Sequence, residues 1–238
     1  MAREFSYSEL IERLRQALGL TIIEVDDALI LLGYINSRYR YIYEYAEWPE
    51  NIVIEERTPS SALIAYEQSG KTAIAEFLYM WNKDPYGTQT ALNVAFDING
   101  SGAKLHNSTL DSVYVKFKKE VPVFKGGDYS ASTDYTTGDY VFYVTDGNYY
   151  IAIDDPSVGT APTDTDYWSE IKIPHRFFEY LVYSVATDFL SEHNIERANY
   201  FDKKALEQLT LELDKMERQQ SQKPNTFIQT HTNSDFRN

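Results

Sequence analysis

Residues 122 to 173 constrain this chain more than any other stretch. They are rich in Tyr, Asp, Thr and Gly, and their only basic residues are Lys125 and Lys172. Six of the chain's 20 tyrosines fall between Tyr129 and Tyr150, in YSASTDYTTGDYVFYVTDGNYY. Such a segment is too polar for long helices and too aromatic for disorder. It predicts a small β-module. Exposed rings at this spacing suit a sugar-binding face. They equally suit the core of a module with too few aliphatic residues to build one otherwise.

The shift in composition predicts an inserted module, and helical patterns flank it together with the β region that precedes it. Ser6-Tyr7-Ser8-Glu9 fits a capping box, with a hydroxyl at the N-cap and a carboxylate three residues on. It opens a helix to about Gly19. A second helix starts near Val25, with apolar positions Val25, Ala28, Leu29, Leu32, Ile35, Tyr39, Ile42 and Ala46 at spacings of three and four. Asp26 and Asp27 favour its positive end, and Pro49 closes it after Trp48. After the module, Pro174 restarts helix, with Phe177, Phe178, Leu181, Val182, Val185 and Leu190 available for burial. Asn194 predicts an N-cap for a last helix from Ile195 to about Gln219, with Ala198, Phe201, Ala205, Leu209 and Met216 on one face.

Between the first helices and the module, the runs NIVIEER, SALIAYEQ, TAIAEFLYMW, ALNVAFDI and DSVYVKFKK are short and rich in β-branched and aromatic residues. Turn signals such as Asp84-Pro85-Tyr86-Gly87 and Asn99-Gly100-Ser101-Gly102 separate them. Four or five antiparallel strands are expected. Val113, Val115 and Phe117 alternate with Tyr114, Lys116 and Lys118, as in a strand with one wet face. The expected fold class is therefore α+β. Residues 1–50 and 174–220 form a helical bundle, 51–122 an antiparallel β-domain and 123–173 the inserted module. Residues 221–238 read as a polar C-terminal arm with Phe227, Ile228 and Phe236 as its few anchors.

No chemistry stands out. The chain has no cysteine, which excludes disulfides, thiolate metal sites and a cysteine nucleophile. Its four histidines, His106, His175, His193 and His231, lie at no metal-ligand spacing, and there is no phosphate-cradling loop. Asp154, Asp155, Asp164 and Asp166 are candidate calcium ligands but lack EF-hand spacing. Chance carboxylate pairs are plentiful among 36 acidic residues, so they single out no glycosidase. No enzyme, cofactor or resident metal is expected. No apolar run reaches the roughly 20 residues needed to span a bilayer, and the N-terminus has no apolar signal core. The net charge of −14 suits solubility, or a surface that lets DNA pass without sticking.

Tyr129, Tyr135, Gly138-Asp139, Val141 to Tyr143, Gly147, Tyr150-Ile151-Ala152, Gly159, Pro162 and Trp168 together resemble the chitin-binding modules of carbohydrate-binding families five and twelve. Those members carry exposed aromatics just after the Tyr-x-Ala strand, where this chain has Ile153-Asp154-Asp155-Pro156. Tyr129, Tyr149 and Tyr167 are the module's candidate contacts for a glycan or a protein partner.

A second resemblance covers most of residues 20 to 220. Ile35-Asn36, Tyr39-Arg40 and Trp48-Pro49, then FLYMWNKDP, DSVYVKFKKEVP and the two closing helices, resemble phage head–tail connector adaptors of the tail-tubular-protein-A-like group. That resemblance implies a virion structural protein at the head–tail junction, assembled in the host cytoplasm. It implies a homo-oligomeric ring of about twelve copies between the portal protein and a downstream tail or nozzle protein, with DNA passing through unbound. It also makes the C-terminal arm a portal-binding segment. The alternative is a sugar-binding tail or decoration protein, and a virion-associated glycan hydrolase is a third.

Overall fold

The capping box at Ser6 sets the first helix in the computed structural model, which describes residues 4–221. The Ser6 hydroxyl accepts the Glu9 N–H at 3.2 Å, and the Glu9 carboxylate accepts the Ser6 N–H at 2.8 Å. Two amides that the helix itself cannot satisfy are thereby paired. Strand β1 (Glu4–Phe5) precedes helix α1 (Tyr7–Leu18), which ends on Gly19 at φ +71°, a left-handed turn suited to glycine.

Helix α2 (Val25–Tyr45) buries Leu31, Ile35, Tyr39, Ile42 and Tyr43. Leu29, expected inside, is 66% exposed. Leu31 lies in line with Ile35 and Tyr39 at a spacing of four, whereas Leu29 sits at the edge of that stripe. Side chains from the following turn close the helix. The Trp48 indole N–H donates to the Ile42 carbonyl at 2.6 Å, and the Asn51 amide donates to the Tyr43 carbonyl at 2.5 Å. Both donors are fully buried, so the last-turn carbonyls are satisfied without water.

Helix α3 (His175–Leu190) is the hub of the bundle, against which α1, α2 and α4 (Ile195–Ser221) each pack. Its six predicted core residues are all buried, as are the five on the inner face of α4. Asn194 caps α4 by accepting the Arg197 N–H at 3.0 Å. Arginines then tie the elements together. Arg38 of α2 makes a forked pair with Asp188 of α3, which raises the arginine's pKa. Arg176 of α3 reaches Glu50 at 3.1 Å and Glu212 of α4 at 3.9 Å. Arg197 of α4 donates to the Ala17 and Leu18 carbonyls at the end of α1.

The β-domain has six strands in two antiparallel three-stranded sheets, one more strand than the upper expectation. They are β2 (Ile52–Arg57), β3 (Leu63–Ala65), β4 (Ile74–Trp81), β5 (Phe96–Asn99), β6 (Gly102–Leu105) and β7 (Val113–Lys119), in the orders β2-β7-β4 and β3-β6-β5. The extra strand β6 lacks β-branched residues, and Gly102 makes it possible. At φ +143° it brings its backbone so close to β3 that a Cβ would lie 2.0 Å from the Ile64 oxygen. Val113, Val115 and Phe117 face the domain's core, as their alternation predicts. Strand β4 breaks alternation with two register shifts, between Ile74 and Glu76 and between Phe77 and Tyr79. Ile74, Phe77 and Met80, three residues apart, are therefore all buried.

The module is a four-stranded sheet, β11-β10-β9-β8. Strands β9 (Tyr140–Tyr143), β10 (Asn148–Ala152) and β11 (Trp168–Glu170) are antiparallel, and β8 (Gly127–Asp128) runs parallel to β9. Strand β12 (Ile173–Pro174) leads out of the module, pairs with β1 and runs straight into α3.

Candidate functional site

Strand β10 has protein on both faces. Its register with β9 sets Tyr149 opposite Phe142 and Tyr150 opposite Val141, and side chains alternate between faces along each strand. Tyr150, Val141, Ala152 and Trp168 form the module's own core, with Tyr129, Tyr135, Tyr143 and Tyr167 partly buried around them. Tyr149, Phe142 and Tyr140 face the other way and join the core of the helical bundle.

This corrects one expectation. Tyr149 is 7% exposed, with its ring edge-on to Tyr7 of α1 at 4.9 Å and 5.8 Å from Phe124. It is held inside the protein and offers nothing to a glycan. Tyr129 and Tyr167 lie on the other side of the sheet. Tyr129 stacks on Tyr135 at 5.7 Å, meets Trp168 edge-on and donates its hydroxyl to the Thr160 carbonyl at 3.0 Å. Tyr129, Tyr149 and Tyr167 therefore form no common surface.

Polar contacts fix the mounting of the module. Asn36 of α2 clamps the chain as it enters, donating to the Phe124 carbonyl at 2.8 Å and accepting the Phe124 N–H at 2.9 Å. The Phe124 ring, 1% exposed, then packs against Tyr7, Tyr39 and Tyr149. Asn148, at the β9–β10 turn, accepts the Ser8 N–H at 3.0 Å, so the module supplies a cap to the first turn of α1. In the sequence Asn36 stands out only within the Ile35-Asn36 motif, and Asn148 carries no signal at all. An amide has no periodic signal that reveals a distant partner.

The aspartates proposed for calcium build loops instead. Asp155 accepts the Thr137 N–H at 2.8 Å and its hydroxyl at 2.9 Å, which holds its carboxyl below the usual range. Asp154 accepts the Asp155 N–H, and Asp164 accepts the Asp166 N–H. Among the described residues, no group of three or more His, Asp or Glu is placed to hold a metal. Also among them, no helix is long and apolar enough to cross a membrane.

A cleft of about 840 Å³ separates the module from the β-domain, lined in part by Tyr140, Ile151, Ile153, Glu170 and Lys172. Desolvation raises the Glu170 carboxyl above its ordinary pKa, and Lys172 at 3.6 Å opposes this only in part.

The outer surface of the bundle carries two further features. Helix α2 exposes Leu29, Ile30, Tyr41 and Tyr45, and helix α4 exposes Tyr200, Leu206 and Leu211. Both helices bury their inner faces on α3; Tyr41 stacks on the buried Tyr180 and Tyr200 meets the buried Phe201 edge-on, while Leu29, Ile30, Tyr45, Leu206 and Leu211 join no core cluster. Phe227, Ile228 and Phe236, the expected portal anchors, lie outside the described residues. No protein-family model and no curated protein matches this chain.

Proposed function

We propose that this chain is a structural adaptor of a tailed-phage virion, forming a ring that joins the portal to the tail and lines part of the DNA channel. The observation that carries the reading is the set of large apolar side chains left exposed on the outer sides of α2 and α4. The two helices differ in sequence, so a contact between them joins unlike surfaces. Association of two unlike surfaces is head-to-tail, and head-to-tail association closes into rings when the rotation allows. Exposed apolar patches on a soluble chain mark contact surfaces.

The net charge of −14 supports the channel role, because carboxylates repel passing phosphates. The mounting of the module supports a structural role as well. A module held by Asn36, Tyr149 and Asn148 stays in a fixed orientation to the bundle. In this reading, residues 221–238 dock on the portal and the module faces outward, where a neighbouring tail protein can pack on it. With Tyr149 buried, the module has no three-ring face to support a sugar-binding alternative.

The test is cryo-electron microscopy of the chain mixed with its portal protein, alongside the variants Ile30→Asp and Leu206→Asp. The expected result is a ring beneath the portal for the unaltered chain. Each variant should fold, give native circular dichroism and form no ring. Rings that persist in both variants would remove the helix faces from the interface and with them the basis of the proposal.

A further inference from the structure

Tyr79 and Trp81 project from the outward face of the β2-β7-β4 sheet, where the core needs no aromatic side chain. In regular alternation they would share a face with Phe77, which is buried in the domain. The register shift between Phe77 and Tyr79 turns them outward. Bulges of this kind re-aim side chains and cluster beside functional sites. Tyr79 is 53% exposed, and its ring lies 6.1 Å from that of Trp81 at an interplanar angle of 26°. The two ring planes are nearly parallel, and each ring leaves part of its surface to solvent.

That surface forms the floor of a groove of about 900 Å³. Tyr86, 83% exposed, rises from the β4–β5 loop on one wall. Polar groups ring the aromatic floor. The Lys116 ammonium lies over the Tyr79 ring, 5.4 Å from its centre, and donates to the Glu47 carboxylate at 3.0 Å, leaving the rest of the ring open. Asn93 and Gln219 complete the rim.

We infer that this groove binds a neutral saccharide chain. A pyranose has one flat C–H face to stack on Tyr79 and Trp81, and hydroxyls around its edge for Lys116, Glu47 and the rim amides. An apolar peptide side chain would cover the same rings but strip water from the Lys116–Glu47 pair and the rim amides without supplying hydrogen bonds in its place, which is costly. A neutral ligand is indifferent to the chain's charge of −14, whereas an anionic one is repelled. A concave site with an aromatic floor and a few convergent polar groups has the anatomy of a small-ligand pocket. This inference does not depend on ring formation.

The chain carries its own reporter. Of its three tryptophans, Trp48 and Trp168 are 0% and 1% exposed, and only Trp81 lies near the surface. The full chain is titrated with cellohexaose, chitohexaose and maltohexaose, and separately with a polyproline peptide, following tryptophan emission and heat. The expected result is a saturable change with at least one hexasaccharide and none with the peptide. Tyr79→Ala should weaken that binding by about tenfold, the worth of one stacking ring, with an unchanged thermal melt because Tyr79 is exposed. Silence with all three saccharides, binding of the peptide alone, or a Tyr79→Ala chain that titrates like the original would each overturn the inference.

Discussion

Replacing Tyr149 with alanine separates the two readings of the tyrosine-rich segment by a wide margin. A solvent-facing ring changes stability by no more than about 0.5 kcal/mol when removed. Tyr149 instead fills the seam between sheet and bundle, 7% exposed, with Tyr7, Phe124 and Phe142 around it. Truncating a large buried aromatic to alanine costs about 3–5 kcal/mol, the lost transfer energy plus the cavity left behind. The edge-on pair with Tyr7 accounts for about 0.5–1.5 kcal/mol of interaction beyond burial. That share is measurable as the coupling in a double-mutant cycle with Tyr7→Leu. Tyr149→Phe keeps the ring and should cost less than about 1.5 kcal/mol, the net worth of a hydrogen bond. Urea unfolding, read by circular dichroism for the helices and tryptophan emission for Trp48 and Trp168, gives the free energies. Both probes should shift together, because this ring belongs to the bundle's core. A Tyr149→Ala chain within about 0.5 kcal/mol of the original would refute the assignment of this ring to the interior.

Other perturbations probe the mounting and the charges. Asn36→Ala strands the Phe124 N–H and C=O and should destabilise by about 2–4 kcal/mol, seen as a lowered urea midpoint; a change under about 0.5 kcal/mol would count against the clamp. Asn148→Ala removes the cap on Ser8 and should cost about 0.5–2 kcal/mol, read as a lower melting temperature. Glu170 has a folded-state pKa above its unfolded value, so its ionisation works against the fold. The penalty is absent below the unfolded pKa, grows as pH rises through the two values and is complete above the folded one. Glu170→Gln should therefore raise the melting temperature at pH 7 and leave it unchanged in acid; an equal gain at both pH values would exclude linkage as the cause.

The elements with a repeating pattern were legible in the sequence. The capping box, the buried faces of α3 and α4 and the alternation of Val113, Val115 and Phe117 each declare themselves in a window of a few turns or pleats. Leu29 was misplaced because a helix of 21 residues carries more apolar positions than its partner can cover. Strand β6 was missed because glycine geometry rather than β-propensity builds it. At the candidate sites the sequence was ambiguous for a different reason. Tyr149 and Tyr150 are adjacent and identical, and only the strand's parity with respect to two separate cores sends one into the bundle and the other into the module. Tyr79 owes its exposure to a bulge, a break in register that depends on the partner strand.

The two covered faces of β10 bear on how such a protein can change over generations. An inserted domain is ordinarily dispensable, because its host closes over the gap when it is lost. Here the insertion has lent Tyr149 to the host's interior, Asn148 to the start of α1 and Phe124 to the space beside Tyr39. Excision of residues 123–173 would open a hole in the bundle and leave the Ser8 N–H without its partner. The bundle and the module therefore share one interior, and neither can be removed in a single step without exposing part of the other.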